Sequence, residues 1–218
     1  MGREARKRRR AGEVQFCRVG SRGITGGVVG EGATLEQFGR DGYAILRALI
    51  DQKKAQQLWK YVLARVESGD VRVDSAQVPG TPFVYADPAM ERLLEWIRPT
   101  IEALTGRPLA PTYSHFRLYK HGDILRRHVD RPSCEISVSL NLGQEPDEPW
   151  ALGICGRNGE THARLSVGDA LLYRGTECAH WREPYQGTRL AQVFLHYVDT
   201  EGPNADWRFD RRQGLHFG

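Results

Sequence analysis

The chain has 218 residues, a formal net charge of +4 and 40% hydrophobic residues. That length is enough to bury the core of one domain. No run approaches the roughly 20 apolar residues that span a bilayer, and the charged N-terminus lacks the apolar stretch of a secretory signal, so no membrane partner and a cytoplasmic location are expected. The charge is local: residues 1–10 (MGREARKRRR) hold six basic groups and one acid, +5, which leaves −1 for the rest. A short basic run can touch nucleic acid or an anionic surface. No aromatic residue interleaves with this one, so a solvated tail is expected and nucleic acid is not expected as a partner.

Residues 1–33 are basic and glycine-rich with little apolar periodicity, and read as a disordered tail. Residues 34–218 read as a single domain. Thr34, with Gln37 three residues on, suits a capping box and opens a short helix. Tyr43 to Ile50 reads as a strand. Asp51 caps a helix carrying Ala55, Leu58, Tyr61, Val62 and Val66 at helical spacing. A Pro- and Gly-containing loop covers 70–87. Pro88 opens a second amphipathic helix with Met90, Leu93, Leu94, Ile97, Ile101 and Leu104, closed by Gly106 and Pro108.

From residue 110 the pattern changes to short strands split by turns: 112–120, 125–129, 134–142, 150–155, 162–165, 170–174, 178–182 and 188–198. Helices followed by a run of eight strands predict a mainly β fold, a double-stranded β-helix (a cupin-like jelly roll) with a core at about 110–198 buttressed by the N-terminal helices. The segment 199–218 is polar and aromatic and is expected to wrap the outside. Cys17, Cys134, Cys155 and Cys178 form no CxxC pair, so reduced thiols are expected.

His128-Val-Asp130 carries the chemistry. On a strand an i, i+2 pair presents both side chains on one face, so both reach one ion. His180, fifty residues on, can return to the same mouth in a jelly roll. Two imidazoles and one carboxylate on one face of an octahedron are the set that holds non-haem Fe(II) and leaves positions open; a closed structural zinc site has none. Arg189 follows in a strongly β run. A guanidinium there suits an acidic cosubstrate, because its fork matches a carboxylate and keeps its charge when buried.

Alternation on 112–120 puts Tyr113, His115, Arg117, Tyr119 and His121 on one face and Ser114, Phe116, Leu118 and Lys120 on the other. The polar face is either solvent or a pocket wall. In the next strand Ser137, Ser139 and Asn141 share a face, which is either a pocket lining or an ordinary wet side. Arg131 adjoins the candidate ligand Asp130. Arg174, Trp181 and Arg182 lie near His180 and are candidates for the substrate mouth.

Taken together, Tyr119-x-x-Gly122-x₅-His128-x-Asp130, Ser139-Leu140-Asn141, Gly168-Asp169-Ala170-Leu171-Leu172, His180 and Gly187-Thr188-Arg189 resemble the Fe(II)/2-oxoglutarate-dependent dioxygenases, nearest to their prolyl-hydroxylase-like branch. The resemblance spans about residues 110–198. It implies Fe(II) held by His128, Asp130 and His180, with O₂ and 2-oxoglutarate as cosubstrates. It implies Arg189 on the far carboxylate, and Tyr119 and Ser139 as further cosubstrate contacts. His115, Arg117, Arg131, Arg174 and Trp181 are then candidates for the substrate pocket. The implied reaction is decarboxylation of 2-oxoglutarate to succinate and CO₂, coupled to hydroxylation of a C–H bond in a peptide, amino-acid-derived or other small-molecule substrate. Family members that chlorinate lack the carboxylate, and Asp130 is present. The nucleic-acid demethylase branch continues Arg-x-Asn-x-Thr-x-Arg and the penicillin-type branch Arg-x-Ser; this chain reads Arg189-Leu-Ala-Gln and departs from both. Two other readings stand beside it: a cupin-type metal enzyme that does not use 2-oxoglutarate, and a non-catalytic module docked by its basic tail.

Overall fold

The computed structural model describes residues 31–217. The expected disorder of residues 1–33 lies outside the described residues as far as residue 30, and residues 31–33 instead form the first turn of a helix. Among the described residues three helices, α1 (Glu31–Asp41), α2 (Gln52–Glu67) and α3 (Pro88–Thr105), alternate with two short strands before the long strands begin. The first helix begins three residues before the expected Thr34. Asp51 caps α2 by accepting from the Lys54 amide at 2.7 Å. Asp87 caps α3 by accepting from the amides of Ala89 and Met90, and Gly106 ends it in the left-handed region at φ 66°, a conformation that costs glycine nothing sterically. No helix among the described residues is long and apolar enough to cross a membrane.

Ten strands form two antiparallel sheets. The larger contains β1 (Tyr43–Leu46), β8 (Ala170–Arg174), β5 (Ile136–Glu145), β10 (Arg189–Asp199), β3 (Leu109–Lys120) and β2 (Phe83–Tyr85), in that order. The smaller contains β4 (Leu125–His128), β9 (Ala179–Arg182), β6 (Leu152–Gly156) and β7 (Gly159–Ala163). The two sheets make the expected jelly roll. The eight strands foreseen from residue 110 are all present, and 43–50 is a strand only to Leu46, where a turn follows.

The two faces of the larger sheet differ in chemistry. Its outer face carries Phe116, Val138, Leu140, Leu172, Val193 and Leu195, which pack with Leu58 and Val62 of α2 and Leu93, Leu94, Ile97 and Ile101 of α3. Each such side chain contributes about 1.5–3 kcal/mol by leaving water. Gly143 is required here: a Cβ on it would stand 2.5 Å from the Trp59 ring. Between the sheets the space is closed by two apolar groups. Leu152, Ile154, Leu171 and Tyr173 belong to one, and Val78, Tyr119, Leu125, Tyr185 and Leu190 to the other. The segment after β10 wraps the outside as expected. It is pinned by Arg212, which donates to the fully buried Glu91 at 2.6 Å.

Candidate metal centre

His128 and His180 are register partners across the antiparallel pair β4–β9. Direct partners share a face, and the two rings lie 4.3 Å apart. Asp130 follows β4; its amide donates to the Gly175 carbonyl at 2.8 Å, which fixes the turn. Its Oδ1 then stands 3.6 Å from His128 Nε2 and 3.7 Å from His180 Nε2. One ligand atom from each residue lies within 4.8 Å of the others.

Both imidazoles are oriented from behind. His128 Nδ1 bonds the Arg126 carbonyl at 2.7 Å and His180 Nδ1 the Cys178 carbonyl at 3.0 Å. A carbonyl only accepts, so each Nδ1 carries the proton and each Nε2 turns a lone pair to the shared point. Burial holds His180 neutral, with its pKa down to about 4, and lowers that of His128. Burial also raises the Asp130 carboxyl to about 6, against the charge of His128 and the hydroxyls of Ser137 and Tyr173. A divalent cation is the partner such a desolvated carboxylate lacks. The donor set and its tautomers fit Fe(II) with open positions. A second group, Asp130, Cys134 and His196, is equally close. There burial raises the thiol to about 12, and the Tyr113 hydroxyl lies 3.1 Å from its sulfur, which makes it packing.

The inner face of the larger sheet forms the wall opposite the triad. Tyr113, His115, Arg117 and Tyr119 of β3 are paired in register with His196, Phe194, Gln192 and Leu190 of β10, and all eight look inward. Tyr113, Arg117 and Tyr119 are buried, so this face is not a solvent face, and His121 is exposed as foreseen. Ser137 bonds His196 Nδ1 at 2.9 Å, and Ser139 accepts from the Gln192 amide at 2.9 Å. Tyr119 is fully buried with no partner for its hydroxyl.

Arg189 is elsewhere. Alternation along β10 sends it to the helix side with Ala191, Val193 and Leu195. There it forms a two-bonded ion pair with Glu145, at 2.7 and 3.1 Å, over Trp59 of α2. Its side chain is 43% exposed. The expectation that Arg189 meets a cosubstrate beside the triad is corrected by this placement.

The guanidinium that does enter is Arg182, two residues beyond His180 on the same face of β9. It is 2% exposed. Its Nη1 donates to the Trp150 carbonyl at 2.6 Å and its Nη2 to Gln192 Oε1 at 3.2 Å. The Trp150 ring lies 4.5 Å beneath it. No carboxylate among the described residues is within ion-pair distance, and burial lowers its pKa to about 10. A buried, unneutralised guanidinium calls for an anion. The sequence signal was its i, i+2 spacing from His180, the same relation that pairs His128 with Asp130.

Two further expectations are corrected. Trp181 points to the outer face of the smaller sheet, over Gly153 and under Arg127 at 4.4 Å. Arg174 lies on the helix side, over Phe38 at 4.8 Å. Arg131 is at the rim. It stacks on Tyr113 at 4.7 Å and donates to Asp210 at 2.8 Å. From the loop 70–87, which sequence alone left without named side chains, Gln77 reaches His128 Nε2 at 2.8 Å.

No family model matches the chain, and no curated protein matches it in sequence. Solved structures do match. A prolyl-4-hydroxylase from Pseudomonas putida superposes with a TM-score of 0.64 at 18% identity, covering 78% of this chain and 98% of that one. The chain has the fold of the 2-oxoglutarate–Fe(II) oxygenases. The epimerase SnoN from nogalamycin biosynthesis, in complex with Fe3+, alpha-ketoglutarate and nogalamycin RO, gives a TM-score of 0.67 at 13% identity, covering 78% and 84%. A prolyl hydroxylase from Trichoplax adhaerens, bound to a hypoxia-inducible-factor peptide, gives 0.64 at 16%, covering 78% and 90%. The shared fold accounts for two sheets facing each other, and His128 and His180 lie on the paired strands β4 and β9 of the smaller one.

Proposed function

We propose that this chain is an Fe(II)- and 2-oxoglutarate-dependent oxygenase. It couples decarboxylation of 2-oxoglutarate, to succinate and CO₂, to hydroxylation of a C–H bond in a peptide, amino-acid-derived or other small-molecule substrate. The observation that carries this reading is the triad itself: His128, Asp130 and His180 converge with both Nε2 atoms facing the shared point, that of His128 accepting from the Gln77 side-chain amide, beside a buried guanidinium that has no anion among the described residues. Fe(II) and 2-oxoglutarate, when bound, supply the oxidising power for C–H hydroxylation with O₂.

The chain's own residues do the rest. His128, Asp130 and His180 hold one face of the metal and leave the opposite face to cosubstrate and O₂. Arg182 neutralises the far carboxylate of 2-oxoglutarate, and the unpartnered Tyr119 hydroxyl donates to it. Gln192 holds Arg182 on one side and Ser139 on the other, so the anion meets a preorganised donor. Trp150, Tyr185 and Leu190 keep water from this end of the site. We propose a single catalytic domain for the described residues, built on the jelly roll and its helices. A cupin-type enzyme without 2-oxoglutarate would have no use for an unpaired Arg182.

The test is an anaerobic difference spectrum of the apo protein titrated with Fe(II) and then 2-oxoglutarate. Chelation of Fe(II) by a 2-oxo acid gives a weak metal-to-ligand charge-transfer band. The band is expected, and is expected to vanish in Asp130→Ala. Fe(II) binding without a band would sink the 2-oxoglutarate assignment, and no Fe(II) binding would sink the metal site.

A further inference from the structure

The site holds a second buried guanidinium that the cosubstrate does not use. Arg117 is 1% exposed. Its Nη2 donates to Ser75 Oγ at 3.0 Å and to Gln77 Oε1 at 3.3 Å. Its Nε and Nη1 have no partner, and no carboxylate among the described residues pairs with it. Two residues back on the same strand face, His115 Nε2 is also buried without a partner. Phe83 lies against both, 5.2 Å from the His115 ring and 6.0 Å from the guanidinium.

Arg117 and Arg182 are held by different partners. Arg182 is closed in by Trp150 and Gln192. Arg117 ends under the loop 70–87, whose exposed Gln77 spans from its Nη2 to the metal-facing Nε2 of His128. The Gln77 amide thus stands between this guanidinium and the metal position, at the mouth. One 2-oxoglutarate has one carboxylate to spare beyond the metal, and Arg182 meets it. Arg117 keeps an unmatched charge on the side from which a second molecule enters.

We infer that the primary substrate carries a carboxylate, which docks on Arg117 in place of the Gln77 amide, with His115 as a neutral hydrogen-bond donor and Phe83 as an apolar wall. One carboxylate matches one guanidinium in charge. His115 adds no charge, because burial and the adjacent Arg117 hold its pKa well below the usual imidazole value. The reacting carbon then lies a few bonds from that carboxylate, since Gln77 alone bridges the two positions. Rejection of a neutral amide follows from leaving the guanidinium unpaired. This inference rests on the oxygenase reading.

The test uses the full chain loaded with Mn(II) and saturating 2-oxoglutarate, with benzoate and benzamide as a matched pair of probes. Paramagnetic broadening of the probe's ring protons reports arrival beside the metal. Benzoate is expected to bind about tenfold to a hundredfold more tightly than benzamide. The preference should vanish in Arg117→Gln and survive in part in Arg117→Lys, with 2-oxoglutarate affinity unchanged in both. Gln77→Ala, which frees Nη2 and keeps the charge, should bind benzoate more tightly, and this holds the inference open to test should Arg117→Gln fail to fold. Equal binding of the two probes by the wild type would overturn it. So would a preference that survives Arg117→Gln, weaker benzoate binding in Gln77→Ala, or a loss of 2-oxoglutarate affinity in Arg117→Gln, which would hand this guanidinium to the cosubstrate. Wild-type protein that prefers benzoate yet binds no 2-oxoglutarate would instead overturn the oxygenase reading and leave the carboxylate site standing.

Discussion

Arg182 lies two residues beyond His180 on β9, and both side chains enter the same space between the sheets, whereas Arg189 leaves on the far side of β10. Strand alternation alone separates them. If Arg182 holds the far carboxylate, Arg182→Gln should weaken 2-oxoglutarate binding by about tenfold to a hundredfold or more, the worth of a charged hydrogen-bonded pair. Arg189→Ala should change it less than about twofold, since its exposed ion pair with Glu145 contributes little. Titration of each Fe(II)-loaded variant, followed by the charge-transfer band, checks both. The reverse result would return the role to Arg189.

Gly175 lies against Asp130, the candidate metal-binding carboxylate. A Cβ there would meet the Cys134 carbonyl oxygen at 2.2 Å and Asp130 Oδ2 at 2.7 Å. The first is backbone, so the turn must shift. Gly175→Ala is expected to cost about 1–3 kcal/mol in stability and to weaken Fe(II) binding by about tenfold, the effect of disturbing a ligand's support. Calorimetric Fe(II) titration and thermal melting read the two effects separately.

Buried imidazoles give the fold an acid limit. His196 has its pKa lowered to about 3, first by burial and then by the charge of Arg131, and that of His115 lies well below normal. In the unfolded chain both titrate near 6.5. Between that value and the folded pKa the unfolded state binds more protons, so stability is full above about pH 6.5 and is lost as pH falls. At pH 5 the loss is on the order of 1–2 kcal/mol per imidazole. Chemical denaturation at pH 7.5 and pH 5 should show this slope, and His196→Asn should flatten it.

The C-terminal wrap depends on one buried pair. Glu91 on α3 is fully buried and meets Arg212, which also donates to the Thr112 carbonyl at 2.9 Å. The His216 amide donates to the same carboxylate. Arg212→Ala would leave Glu91 buried and uncompensated, at about 3–5 kcal/mol. A fall in Tm of about 10 °C is expected. An unchanged Tm would mean that the segment is held by other contacts, such as Asp210 on Tyr85 at 2.6 Å.

Much of this was legible in the linear chain because the signals are local. Caps at Asp51 and Asp87, the helical spacing of Leu93, Leu94, Ile97 and Ile101, and the period-two alternation of β3 and β5 each depend on neighbours within a few residues. His128-x-Asp130 is legible for the same reason. The Arg189 expectation fails because a motif position does not say which face of a strand it occupies. Along β10 the alternation is unbroken from Arg189 to His196 in its pairing with β3, and it is the packing of Leu190 with Tyr119 between the sheets that leaves Arg189 on the other side.

The sequence by itself determined the elements, the period-two alternation within each strand and the candidate ligand set, since these follow from the spacing of apolar and polar groups along a few residues. Only the tertiary structure decided which polar faces meet. It brought His180 opposite His128, buried Arg182 while leaving Arg189 on an exposed ion pair, and set Gln77 between Arg117 and His128. Those choices rest on strand pairing between residues far apart in the chain, such as His128 with His180 and Arg117 with Gln192, where backbone hydrogen bonds and core packing fix a register that no local pattern contains.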